Sequence, residues 1–202
     1  MIRLYGVPMS RAARCLWLLE ELGVPYENVP TSFVGDAQKP DYLELNPNGK
    51  VPTLVDDDGT VVWESLAINL HLARTYDRGL WPKTRAGEAH ALQWSFWAMT
   101  EVEPFCAQII MNRAFLPEAQ RDPKLAAAGE AALQKPLRVL DGALAGRDWL
   151  VEDRFTVADL NVHSVLAVAT SFGKCDVSAH RQVSGWLARC AERPALGRVF
   201  PR

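Results

Sequence analysis

Residues 2–5, IRLY, read as a short strand, and residues 11–22 follow a helical period with Cys15, Leu18, Leu19 and Leu22 along one face. Gly23 stops that helix and Pro25 prevents its resumption. Residues 26–29 form a weaker strand, and DAQKPDYLELNPNG is a loop holding a short helical turn. Residues 53–55 and 61–63, joined by the turn Asp57, Asp58, Gly59, predict a hairpin. Ser65 is placed to N-cap a helix over residues 66–76. The order is β-α-β-α-β-β-α.

The pattern breaks at DRGLWPKTRAGE, a stretch rich in Gly, Pro and charge, and no convincing strand follows it. Residues 88–115 form a long helical pattern that Pro104 should kink. A second helix is expected over residues 122–145. Thr156 with Asp159 three residues on forms a capping box, with Asp replacing the usual Glu, that opens a third helix reaching residue 169. A fourth covers residues 182–192 and stops before Pro194. The predicted architecture is an α/β domain over residues 1–78, a linker over 79–86 and an all-helical domain over 87–202.

Composition narrows the function. A chain of 202 residues, 49% of them hydrophobic, can bury a substantial core. A formal charge of −2 offers no electrostatic drive toward nucleic acid or an anionic membrane. The opening MIRLYGVPMSRAARC lacks a signal peptide's apolar stretch and cleavage site, and no apolar run reaches membrane-spanning length. Cys15, Cys106, Cys175 and Cys190 are scattered, with no CxxC pair and no histidine at ligand spacing. No metal site or disulfide framework is expected, and a reducing cytoplasm fits this usage.

The segment NPNGKVPTLVDDDGTVVWES, residues 46–65, carries the chemistry. Pro52 has no N–H to give a sheet, so it belongs at a strand's first residue, an edge or a bulge. Read alone, it could equally end a loop, and Ser65 could be a plain N-cap. With MSRAARCLWLLEELGVPYE, NPNGKVPTL, WES before a helix and FTVADLNV late in the chain, all in order, the sequence resembles the cytosolic glutathione S-transferases, in particular their serine-type bacterial and plant-like members. The resemblance covers nearly the whole chain.

That resemblance implies a thioredoxin-like first domain that binds glutathione and a helical second domain carrying an apolar electrophile site. The residue matching Pro52 would follow a cis bond, leaving Val51 to pair backbone-to-backbone with the cysteinyl part of glutathione, like an added strand. Ser65 and the helix start would hold the γ-glutamyl carboxylate, and Glu64 its amine. Lys50 and Lys39 are the candidates for the glycine carboxylate. Ser10, between the first strand and the first helix, would stabilise the glutathione thiolate. Its other reading is the N-cap of the 11–22 helix. Tyr5 and Cys15 are its rivals, because other classes use a tyrosine or a cysteine; here they read as a structural tyrosine and a small buried hydrophobe.

Trp94, Trp97, Met99, Phe105, Met111 and Phe115 make the long helix bulky, a few of them lining the electrophile pocket. Asp159 would cap rather than catalyse. The family implies a homodimer and no metal. The function implied is thiolate attack on an apolar electrophile. The alternative is a non-catalytic glutathione-transferase-like binding or regulatory module.

Overall fold

The computed structural model describes residues 1–200. The chain forms two compact units: residues 1–81 together with the stretch from residue 193 onward, and residues 82–192.

The first unit contains β1 (Ile2–Tyr5), α1 (Ala12–Leu22), β2 (Tyr26–Val29), a 3-10 turn (Asp36–Gln38), α2 (Pro40–Leu45), β3 (Thr53–Val55), β4 (Val61–Trp63) and α3 (Ser65–Tyr76). The strands lie in the order β2-β1-β3-β4. β1 runs parallel to β2 and antiparallel to β3, and β3 and β4 form the expected hairpin. This is the thioredoxin-like arrangement. Leu4, Leu54, Trp17, Leu18, Leu19, Ile68 and Leu72 are wholly buried and form its core. Gly23 ends α1 with φ 61°, its N–H donating to Leu19 O, a left-handed stop that suits a residue without Cβ. The Val51–Pro52 peptide bond is cis.

The second unit is helical: α4 (Arg85–Trp97), α5 (Glu103–Ile110), α6 (Pro123–Ala143), α7 (Val157–Ser171) and α8 (Arg181–Ala191). Between α4 and α5 the chain widens into a π turn, Ala98–Val102, in which the Glu103 N–H reaches back five residues to Ala98 O. The wide turn accommodates Pro104, which lacks an N–H and whose ring crowds the carbonyl four residues before it. The capping box at the start of α7 is present. Asp159 is fully buried: Oδ1 accepts from Leu150 N–H at 2.9 Å and Trp186 Nε1–H at 3.0 Å, and Oδ2 accepts from Thr156 N–H at 3.0 Å.

After α8 comes α9 (Pro194–Val199), a helix absent from the predicted elements, in which Pro194 ends a helix and does not start one. Proline at the first helical position starts a helix as readily as it ends one. α9 packs on α1 within the first unit, where Arg193 grips Glu21 with Nε–Oε1 2.6 Å and Nη2–Oε2 2.7 Å.

Candidate functional site

The sheet register gathers the predicted site. Tyr5, the last residue of β1, pairs with Thr53, the first of β3, and Thr53 pairs with Trp63, the last of β4. The loops holding Ser10, Val51 and Glu64 therefore leave the same end of the sheet. Gly6 shows how tightly they meet. With φ 148°, a Cβ there would lie 2.4 Å from the Ala12 Cβ and 3.6 Å from the Val51 Cβ, so only glycine fits.

Ser10 precedes α1. Its half-buried hydroxyl donates to Val7 O at 2.7 Å and accepts from the Ala12 N–H at 3.1 Å. The second bond satisfies the N–H of the first helical residue, although Arg11, not Ser10, holds the cap position of α1. The first bond occupies the only hydroxyl hydrogen.

At the other helix start, the expectation that Ser65 caps α3 is corrected. Ser65 is the first residue of the helix. Glu64 holds the cap position, with φ 74° and ψ 112° and no side-chain cap bond. The chain passes from β4 to α3 through this single residue, and a non-glycine there takes a sparsely populated conformation. The Glu64 side chain is exposed, and among the described residues its carboxylate is in no hydrogen bond or ion pair.

Ser65 is only 3% exposed, and beneath it lies Arg14, 5% exposed, whose Nη1 donates to Ser65 Oγ at 3.4 Å. Asn69 Nδ2 donates to Arg14 O at 3.3 Å, lacing α3 to α1. Because the guanidinium occupies a lone pair of Ser65 Oγ, the hydroxyl keeps its own hydrogen to donate elsewhere. Sequence reasoning missed Arg14. The signal was there: Arg14 stands four and eight residues before Leu18 and Leu22, a charge on the apolar face of α1.

Val51 lies outside the strand ladder, and among the described residues neither its N–H nor its C=O has a hydrogen-bond partner. The two lysines differ. Lys39 Nζ is held by Asp36 Oδ1 at 2.7 Å, an exposed i,i+3 pair. Lys50, beside Val51, is exposed and in no ion pair among the described residues. The rivals of Ser10 are engaged in other contacts. Cys15 is fully buried, its thiol donates to Ser65 O at 3.4 Å, and burial drives its pKa far up, which disfavours the thiolate. Tyr5 stacks edge-on against Tyr42, with ring centroids 6.0 Å apart.

Of the bulky residues on the long helix, Trp94 is buried edge-on against Trp97, at 5.0 Å. Met111 and Phe115 are exposed, and Phe115 lies 5.8 Å from the ring of Phe172 at the end of α7. Among the described residues no helix is long and apolar enough to cross a membrane.

Residues 1–74 match the family model of the glutathione S-transferase N-terminal domain, and residues 101–194 that of its C-terminal domain. Glutathione S-transferase 3 of Zea mays is 35% identical, the match covering 96% of this chain and 91% of the relative. Glutathione S-transferase GstB of Escherichia coli K12 is 31% identical over 98% of this chain and 97% of its own length. Among solved structures, a theta class glutathione S-transferase from Xanthomonas axonopodis pv. citri with glutathione bound superposes with a TM-score of 0.91, at 31% identity, covering all of this chain and 97% of the other. By sequence, by fold and by the order of its two domains, this chain belongs to the glutathione S-transferase family of enzymes.

Proposed function

We propose that the protein activates the glutathione thiolate and delivers it to an apolar electrophile. The observation that carries this reading is the convergence, at one end of the sheet, of three complementary features. These are the Val51 backbone edge, an α3 start bearing Glu64 and Ser65, and a serine hydroxyl at the start of α1. A peptide lying along Val51 forms two backbone hydrogen bonds, as in strand addition. The γ-glutamyl head is a zwitterion, and it meets a carboxylate and a helix N-terminus side by side. Lys50 takes the glycine carboxylate. Lys39, held by Asp36, contributes less. The bound thiol then lies toward Ser10, whose hydroxyl turns from Val7 O to the sulfur. Within the helical unit, Met111, Phe115 and Phe172 are exposed apolar side chains. Leu92 and Phe96, exposed one turn apart on α4, suit the homodimer that the family leads one to expect.

The test is Glu64→Ala followed by calorimetry with glutathione. Losing a hydrogen bond to a charged group weakens binding by about 10- to 150-fold. Wild-type affinity in a folded Glu64→Ala protein refutes the site. Wild-type glutathione binding with no turnover across a panel of electrophiles, read by mass spectrometry, favours a binding module over an enzyme.

A further inference from the structure

Beneath the Lys50–Val51 peptide lies a closed ring of buried polar groups that neither a cap nor a strand requires. Tyr42 Oη donates to Lys50 O at 2.6 Å and lies 2.7 Å from Thr53 Oγ1. Asn46 Nδ2 donates to the same Lys50 O at 2.8 Å and to Thr53 Oγ1 at 3.1 Å. Tyr42, Asn46 and Thr53 are all buried, Thr53 completely. One turn earlier, Gln38 Nε2 donates to Gly49 O at 2.8 Å.

Proton counting orients the ring. A hydroxyl has one hydrogen. Tyr42 gives its hydrogen to Lys50 O, so the Tyr42–Thr53 bond must be donated by Thr53. The orientation of the Asn46 amide is set independently, because its Oδ1 accepts from Asn48 N–H at 3.1 Å and Asn48 Nδ2 at 3.0 Å, leaving the NH2 group for Lys50 O and Thr53 Oγ1. The chain therefore runs from Asn46 to Thr53 to Tyr42 to the Lys50 carbonyl, with a second Asn46 hydrogen closing on that same carbonyl. Both lone pairs of Lys50 O are taken, and its peptide plane, which is also the plane of the Val51 N–H, cannot rotate without breaking two buried bonds.

We infer that Thr53, Tyr42 and Asn46 are positioning residues. They hold the Lys50 carbonyl inward so that the Val51 N–H is presented for backbone pairing with the cysteinyl unit of glutathione. The inference rests on the glutathione site proposed above. It adds that the affinity of that site is set partly by hydroxyl and amide groups that never touch the ligand. Without them the Lys50–Val51 peptide samples other orientations, and binding must select the competent one.

The test compares Thr53→Val, which is nearly isosteric and suited to a strand, with Thr53→Ser, which keeps the hydroxyl. Tyr42→Phe removes the other hydroxyl while keeping the ring against Tyr5. In folded protein, Thr53→Val and Tyr42→Phe should each weaken glutathione binding by about three- to tenfold, the effect of one neutral hydrogen bond. The KM for glutathione should rise by a similar factor, with kcat at saturating glutathione changing much less. Thr53→Ser should restore affinity to within about twofold of wild type.

Wild-type affinity in both hydroxyl-deleted variants overturns the inference, as does a Thr53→Ser protein that binds as weakly as Thr53→Val, which would assign the effect to packing. Loss of kcat with KM unchanged also overturns it. Should Thr53→Val fail to fold, Tyr42→Phe decides alone. The Glu64→Ala protein separates the two readings: weak binding there with normal binding in the hydroxyl variants removes only the positioning role, whereas normal binding in Glu64→Ala removes the site itself.

Discussion

Replacing Ser10 with alanine removes two bonds at once, and the geometry says how large each effect should be. The Ala12 N–H loses its acceptor at 3.1 Å, a capping loss of about 0.5–2 kcal/mol in stability. The effect on the thiol is set by competition. The one hydroxyl hydrogen now goes to Val7 O at 2.7 Å, a neutral bond contributing about 0.5–1.5 kcal/mol. Turning it to a thiolate gains about 1.5–3 kcal/mol. The middles of these ranges differ by about 1.2 kcal/mol, roughly one pKa unit. Ser10→Ala should therefore raise the pKa of bound glutathione by about one unit, toward the ordinary thiol value of about 8.5. Turnover near pH 6.5 should fall about tenfold and recover most of that loss near pH 9.

Ser10→Asp separates the two roles. Its carboxylate can still accept from the Ala12 N–H, so stability is kept. It has no hydrogen to donate and places a negative charge beside the sulfur, so the thiol pKa should rise further than in Ser10→Ala. Ultraviolet difference titration of the thiolate band on saturated protein measures all three. If Ser10→Ala leaves the bound thiol pKa unchanged, the thiolate role of Ser10 is wrong and passes to Tyr5 or to the N–H groups at the start of α1.

Other expectations concern the helical unit and the protein's response to acid. Asp159→Ala leaves the buried Leu150 N–H, Thr156 N–H and Trp186 Nε1–H without their acceptor, which should cost about 3–6 kcal/mol in urea unfolding; Asp159→Asn, keeping one acceptor oxygen, should lose less. His163 is buried against Trp186, and burial pushes its pKa down to about 4. It is neutral in the fold while the unfolded chain takes up a proton near pH 6.5, so its contribution is intact above about 6.5. As pH falls toward 4, about 3 kcal/mol is lost. His163→Leu should flatten the fall of the urea midpoint over that range; an unchanged slope would place the titrating group elsewhere.

Much of this molecule is legible in the sequence because it is governed by short-range rules. The period of residues 11–22, the Gly23 stop, the turn at Asp57, Asp58 and Gly59, and the Thr156–Asp159 box each depend on sterics and hydrogen bonds within a few residues. The structure carries them nearly where the pattern places them. The β-α-β-α-β-β-α order followed by helices is legible for the same reason. What escaped depends on pairs far apart in the chain. The position of Arg14 on the apolar face of α1 marks it as buried, but its partner Ser65, 51 residues away, is supplied only by the packing of α3. Ser65 reads as a cap because its type suits one, yet the hairpin's register leaves a single residue for the turn, and Glu64 takes the cap position. Sequence position already favours Lys50, beside Val51, over Lys39, but that Asp36 holds Lys39 is decided by the 3-10 turn. The return of α9 to α1 is invisible because Glu21 and Arg193 are separated by 172 residues. The Tyr42–Asn46–Thr53 ring follows neither a helical nor a strand period; it exists only because α2 and the start of β3 are folded onto one carbonyl. Local sterics choose the elements, but which buried polar groups meet is decided by topology, and the proposed chemistry of this protein is built from those meetings.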